Sequence, residues 1–356
     1  MLCPGLRSAT ARRLVVEAEY PAPASRQRRV LLVSPAFHGY WNAIADALRF
    51  RGHEVYPHCY DASSGLQGKM QNKLVHELPQ ALQWPGLREA ASVRAVRVMD
   101  RVQPDVVLVI KGDQLTDTWW SAVEKSGAAR VVWLYDELER MSYTPERLRG
   151  LGPVVSYSES DVEVLRRSGA SAEHVPDAHD SLLEYTPVPV TGLSFVGARY
   201  PRREDLLRSV AAEGIDVVAF GREWSRSLWD VARTRRFRGA GFPSGGDVPR
   251  AKYYGIMAGS TATLNMHGDG HDFSMRTFEA PGVGGLSLID KPEVERYYDV
   301  GKETLVYSGA DDIVDIMRRA EADSSWSRSI RDAGRRKTLA KHTFVHRVAE
   351  VERLWG

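Results

Sequence analysis

The sequence predicts an α/β protein of two doubly wound, Rossmann-like parallel-sheet domains facing a central cleft, and three observations carry the prediction. The chain's 356 residues exceed the usual reach of one hydrophobic core. Apolar runs of about five residues alternate with helical patterns of about ten, as a parallel sheet covered on both faces requires. The alternation breaks once, in the proline-bearing stretch HVPDAHDSLLEYTPVPVTG, and then restarts.

Residues 1–28 hold Pro, Ala, Ser and Arg without periodicity and read as a loose leader, or one packed late. Periodicity begins at RRVLLVSPAF, where Val30–Ser34 is a short apolar run closed by turn residues; the helical pattern WNAIADALRFRG and the strand HEVYPH follow. QPDVVLVIKGD, TDTWWSAVEKSG, ARVVWLYDE and GPVVSYSESDVEVLRRSGA continue the alternation, so residues 29–188 form a first domain. Beyond the link, LSFVGARY, REDLLRSVAAEG, IDVVAFG, PRAKYYGIMAGS, TATLNMHG, a short helix from Ser274, GLSLID and ETLVYS build a second domain over 189–341. The tail, from DDIVDIMRRAEAD to FVHRVAEVERLW, reads as amphipathic helices.

Lys and Arg number 48 against 46 acidic residues, a formal +2. That balance gives no chain-wide attraction to polyanions, so the reading is no stable nucleic-acid partner and at most peripheral membrane contact. The runs RTRRFR (233–238) and RRKTLAKH (335–342) concentrate positive charge and read as solvated faces. Cys3 and Cys59 are too few for a disulfide framework and suit a reducing compartment. The opening lacks a signal-peptide core, and no run approaches the roughly 20 apolar residues of a spanning helix, so a cytoplasmic location is expected.

In doubly wound sheets ligands lie beyond the carboxyl ends of the strands. In the first domain those ends hold His38, in SPAFHGYW, and Asp136, after VVWLY; both are candidate bases for an acceptor hydroxyl. Lys111, in IKGD, can meet phosphate or pair with Asp113, and both are acceptor-side candidates.

In the second domain, HGDGHD brings His267, Asp269, His271 and Asp272 together. Their spacing matches neither two histidines on one helix face nor a zinc loop, and two glycines raise the entropy lost in ordering ligands, so no metal is expected. Ser274 is a candidate N-cap, leaving the N–H groups and positive dipole end of the next turn to a diphosphate. Arg276 lies in that turn as a fork for phosphate, and Glu279, three residues on, shares its face and can accept from ribose hydroxyls. The plainer alternative is a surface ion pair worth under about 1 kcal/mol. In SFVGARYPRRED a strand ends at Gly197, with Arg199, Arg202 and Arg203 following; glycine admits a close ligand and an arginine can neutralise phosphate.

Taken in order, these motifs resemble the CgeB/YkvP-like glycosyltransferases, a branch of the two-domain GT-B glycosyltransferases. The likeness runs through SFVGARYPRRED, VVAFGREW, TLNMHG, SMRTFEAPGVGGLSLID, YYDVGKETLVYSGADDIVDIM and DAGRRKTLAKHTFVHRV, and more loosely through QPDVVLVIKGD and VVWLYDE. It implies the GT-B architecture, with an acceptor-side N-terminal domain, a nucleotide-sugar-binding C-terminal domain and a final helix, 342–356, crossing back to the first. It implies transfer of a sugar from a UDP, GDP or dTDP sugar to an acceptor hydroxyl, with no cofactor and no essential metal. Arg276 and Glu279 match the phosphate and ribose end, Gly197, Arg199 and Arg203 the first glycine loop, and Asn265 and His267 the LN-x-H block. Eight positions before Glu279, where the wider retaining pattern has a glutamate, stands His271, which leaves the sugar and the stereochemical outcome open. The acceptor also stays open, and the same residues allow a non-transferring nucleotide-sugar enzyme, such as an epimerase or hydrolase, or a binding protein that has lost catalysis.

Overall fold

A computed structural model of the chain describes residues 18–36, 39–61, 85–268 and 272–355. The first sheet contains β1 (Arg29–Ser34), β2 (Glu54–Cys59), β3 (Val106–Ile110), β4 (Ala129–Leu134), β5 (Val154–Ser156) and β6 (Ala172–His174), ordered β2-β1-β3-β4-β5-β6. The second contains β7 (Val190–Val196), β8 (Val217–Phe220), β9 (Ser244–Gly245), β10 (Ser260–Asn265), β11 (Ser287–Ile289) and β12 (Leu305–Val306), ordered β12-β11-β10-β7-β8-β9. Every pairing is parallel.

Parallel neighbours require crossover connections, and helices supply them. Between strands lie α1 (Tyr40–Phe50), α2 (Pro85–Val102), α3 (Asp117–Ser126), α4 (Pro145–Arg149), α5 (Glu159–Arg167), α6 (Pro201–Ala212), α7 (Leu228–Thr234), α8 (Arg250–Gly259) and α9 (Arg276–Gly282); α10 (Ala310–Ala322), α11 (Ser324–Lys341) and α12 (Phe344–Glu352) follow β12. The strand VVLVI of β3 shows the consequence of two covered faces. Val106, Leu108 and Ile110 enter a core shared with α1, whereas Val107 and Val109 enter another with Trp119 and Trp120, the two-residue alternation of a strand buried on both sides.

The proline-bearing link lies between β6 and β7 and packs against α8. A Cβ on Gly255 would stand 2.2 Å from the Thr186 carbonyl oxygen, and one on Gly259 2.0 Å from that of Val188, so both positions admit only glycine. The last helix, α12, leaves the second domain: Phe344, Val345, Val348 and Val351 lie in the first domain's core beside α1. Its Glu352 accepts from Arg51 Nε at 2.6 Å and stands 3.0 Å from His53 Nε2. Where the chain crosses, His179 N donates to the His342 carbonyl at 2.9 Å and Phe344 N to that of His179 at 3.0 Å. Among the described residues, no helix is long and apolar enough to cross a membrane.

Candidate functional site

Each sheet reverses its winding between two neighbouring strands, β1 and β3 in the first and β7 and β10 in the second, and a ligand crevice opens at such a point beyond the carboxyl ends. In the second domain α9 sits at that crevice, and its Glu279 is fully buried. Glu279 Oε1 accepts from Tyr253 Oη at 2.9 Å, Tyr254 Oη at 3.3 Å and, across the domain junction, Tyr40 Oη at 2.9 Å. Its Oε2 pairs with Arg276. The Arg276 guanidinium lies 4.2 Å from the centre of the Tyr253 ring, and its Nε reaches the Val196 carbonyl, at the end of β7, at 3.4 Å.

Burial, reinforced by the Glu279 charge, pushes the Tyr40, Tyr253 and Tyr254 hydroxyls above their ordinary pKa, so each stays a donor. Burial opposes the Arg276 charge, but Glu279 with Tyr253 and Tyr40 more than offsets it and raises its pKa. Arg250 extends the cluster, 2.6 Å from Asp180 Oδ2 and 5.1 Å from the centre of the Tyr40 ring. A hollow of about 420 Å³ bounded by Asp247, Val248, Pro249, Arg250 and Tyr253 opens beside it.

The expected capping role of Ser274 is corrected by the geometry. Met275, with helical φ and ψ, occupies the cap position of α9 and no side chain caps it; Ser274 contributes its carbonyl, accepting from Thr277 N at 2.9 Å. The approach is turned instead by Asp272, whose Oδ1 accepts from Phe273 N at 2.8 Å and whose Oδ2 accepts from Glu159 N, in the first domain, at 3.1 Å. Close packing holds α9 in place: a Cβ on Gly282 would lie 2.4 Å from Cγ of the His179 ring.

Gly197 and Arg203 share this crevice with Arg276. Gly197 N donates to the Phe220 carbonyl at 3.0 Å, and Gly221, at φ +150°, comes so near that a Cβ there would be 2.5 Å from the Gly197 oxygen. Arg203 donates to the Met266 carbonyl at 2.6 Å and to that of Ala198 at 3.2 Å, joining the loops after β10 and β7. Arg199 does not join them. It is buried, its fork bound to both carboxylate oxygens of Glu204 at 2.8 Å, because α6 places that acid one turn further on.

Asn265 and His267, both buried, bracket Thr277, each 3.1 Å from its hydroxyl. His267 Nδ1 stands 2.7 Å from Asp290 Oδ1, so both ring nitrogens are engaged. Asp290, which ends the run SLID beyond β11, escaped the sequence reading although the same strand-end rule points to it. Among the described residues no group of three or more His, Cys, Asp or Glu side chains could hold a metal ion; Asp269 and His271 lie outside them.

In the first domain Lys111 and Asp136 meet. Lys111 Nζ is 2.9 Å from Asp136 Oδ2, across the ends of adjacent β3 and β4, and does not turn to Asp113. Lys111 sits at φ +62°, a conformation a side chain adopts at a cost, followed by Gly112 at +75°. Asp113 is buried and accepts from the Ser142 backbone and hydroxyl at 3.3 Å. His38 lies outside the described residues. Tyr40 was missed because nothing local marks it, as was Asp177, a buried carboxyl whose Oδ1 has no hydrogen-bond partner. Burial, with Glu279 nearby, pushes Asp177 well above the usual carboxylate range.

The model of the family described as glycosyl transferase-like matches residues 202–353. No curated protein matches the chain. Among solved structures, HepE of Anabaena, in complex with UDP-glucose, is 12% identical with a TM-score of 0.61 over 92% of this chain and 99% of that one. Sucrose-phosphate synthase of Thermosynechococcus elongatus is 15% identical, with a TM-score of 0.64 over 93% and 98%. S. aureus MnaA, solved with UDP, is 9% identical, with a TM-score of 0.54 over 91% and 95%. The chain has the α/β architecture of the GT-B glycosyltransferases.

Proposed function

We propose that the chain is a glycosyltransferase, of the CgeB/YkvP-like branch, that moves a sugar from a nucleotide-sugar donor to an acceptor hydroxyl without a metal. The observation that supports this reading most is the convergence of Gly197, Arg203 and Arg276 on the ends of β7 and β10; Arg203, Arg276 and β10 lie within residues 202–353, the part of the chain that matches the glycosyl transferase-like model. As the glycosidic bond breaks, negative charge grows on the departing diphosphate, and two fixed guanidinium groups stabilise it without reorganising. The glycine at 221 lets the loops after β7 and β8 approach each other closely beside Gly197.

Glu279 is the ribose partner in this reading. Because Tyr40 holds it from the other domain, ribose hydroxyls exchange with the Tyr40 hydroxyl as the cleft adjusts to the donor. Asp136, partly exposed, and His38 are the bases available if the reaction inverts configuration. If it retains, a donor phosphate oxygen takes the proton.

The test is thermal stabilisation by UDP, GDP and dTDP and their sugars, followed by a transfer assay with the ligand that binds. A specific donor raises the melting temperature by mass action. Absence of stabilisation by every nucleotide sugar overturns the reading; conversion of the bound donor without any acceptor replaces it with an epimerase or hydrolase. Activity lost in EDTA and restored by a divalent ion overturns the metal-free part.

A further inference from the structure

The connection from β8 to β9 carries an exposed basic run, as a solvated face would, but sets large exposed apolar side chains among its arginines. Leu228 is 88% exposed, Trp229 70% and Phe237 78%, the three most exposed large apolar side chains among the described residues. They sit among five arginines between positions 226 and 238, against the single acid Asp230. The helix α7 turns Asp230, Val231 and Thr234 inward, leaving Leu228 and Trp229 outward, and ends where Arg235 adopts φ +56°, after which Phe237 is again outward.

We propose that this segment binds an anionic lipid bilayer. Clustered apolar exposure on a folded domain marks an interaction surface. A bilayer with acidic headgroups meets both halves of the composition at once, with negative charge for Arg233, Arg235 and Arg238 and, just beneath, the interfacial zone in which Trp and Phe are favoured. Nucleic acid would match the arginines but leave Leu228 without a partner surface. The segment is also stapled to the crevice loop. Arg236 donates to the Arg199 carbonyl at 3.1 Å, Arg199 to that of Arg238 at 3.0 Å and Arg208 to that of Gly239 at 3.1 Å. Docking therefore fixes the loop that follows Gly197 relative to the membrane plane.

Sedimentation of the full chain with vesicles of phosphatidylcholine, with and without phosphatidylglycerol, tests this independently of any enzymatic activity. The expected result is binding only to the phosphatidylglycerol vesicles, weakening as salt is raised. The double substitution Trp229→Ser with Phe237→Ser weakens it about tenfold, and Arg233→Gln and Arg235→Gln each weaken it about fivefold. All four side chains are exposed or project from the surface, so an unchanged melting temperature certifies folding of each variant. Failure of the wild type to sediment with phosphatidylglycerol vesicles, or undiminished binding by the aromatic double variant, overturns the proposal. A concentration-dependent dimer that the same double variant abolishes, without any vesicle binding, overturns it in favour of a second copy of the chain.

Discussion

Tyr40 and Glu279, 239 residues apart in the sequence, share a 2.9 Å hydrogen bond that joins the first turn of the N-terminal domain's α1 to the fully buried carboxylate of the C-terminal domain's α9. Two more tyrosines and an arginine converge on that carboxylate, so a group the sequence offers as a ribose contact is also the point where the domains are tied.

Tyr40→Phe keeps the ring beside Arg250 and removes one donor to Glu279. The expected cost is about 1.5–3 kcal/mol, the range for a hydrogen bond to a charged acceptor. Thermal melting reads this loss, while calorimetric titration with the donor shows affinity kept or increased, since ribose no longer competes with a hydroxyl. Weaker donor binding would remove the exchange from the mechanism.

Arg276→Ala strips a buried carboxylate of its cation. Breaking such a pair typically costs about 3–5 kcal/mol, and the three tyrosine donors hold the loss here to the lower end. Turnover should vanish. Pairing it with Glu279→Gln restores much of the stability, because no charge is left buried, yet transfer stays absent; recovery of turnover in the double variant would relieve Arg276 of its part at the phosphate. A double-mutant cycle on melting free energies separates the two contributions.

Acid should weaken the junction. Burial, then Arg335 and Arg250, lowers His179 to about 3; burial, then Arg347, lowers His342 to about 3. Between pH 3 and 6.5 the unfolded chain binds protons that these folded histidines refuse, so stability is complete above pH 6.5 and falls as the pH drops through that window. Asp177 acts with the opposite sign: its raised pKa keeps a proton that the unfolded chain releases, so its contribution declines as the pH rises above about 4. Urea melts at pH 5 and 7 should show the rise in stability between them flattened in His179→Gln and steepened in Asp177→Asn, which removes the opposing carboxyl.

Gly259→Ala forces a methyl group against the Val188 carbonyl, 2.0 Å from the oxygen, where backbone must move. Overpacking of this kind costs about 1–3 kcal/mol. The loss should appear in the melting temperature, with Gly239→Ala, where a Cβ meets nothing within 4 Å, as the neutral reference.

The alternation of strands and helices was legible because central strands such as β1, β3 and β10 are buried along nearly their whole length and helices such as α1 and α10 on one face, so burial writes its period into the sequence. The very short strands β9 and β12, of two residues each, carry no such period and emerge only from their neighbours in the sheet. At the site, Gly197, Arg203 and Arg276 stand out in the sequence by type and spacing, and the structure brings them to the ends of the same two strands. Ser274 and Arg199 misled for a common reason: a local rule supposes that a side chain's nearest use is its actual one, and Asp272 and Glu204 compete for the same geometry. The tyrosine cluster was illegible, because Tyr40 meets Tyr253 and Glu279 only through the packing of two domains.

The crossing of α12 has a consequence for synthesis. The residues between β7 and α11 are contiguous and can close their core as soon as they emerge from the ribosome, since the sheet needs nothing from earlier in the chain. The N-terminal domain, although made first, is missing Phe344, Val345, Val348 and Val351 until the last stretch is translated, and until then presents an open apolar face along α1. The half of the molecule born first is therefore completed last. A nascent chain halted before residue 344 should hold a protease-resistant second domain behind a first one that is still digestible.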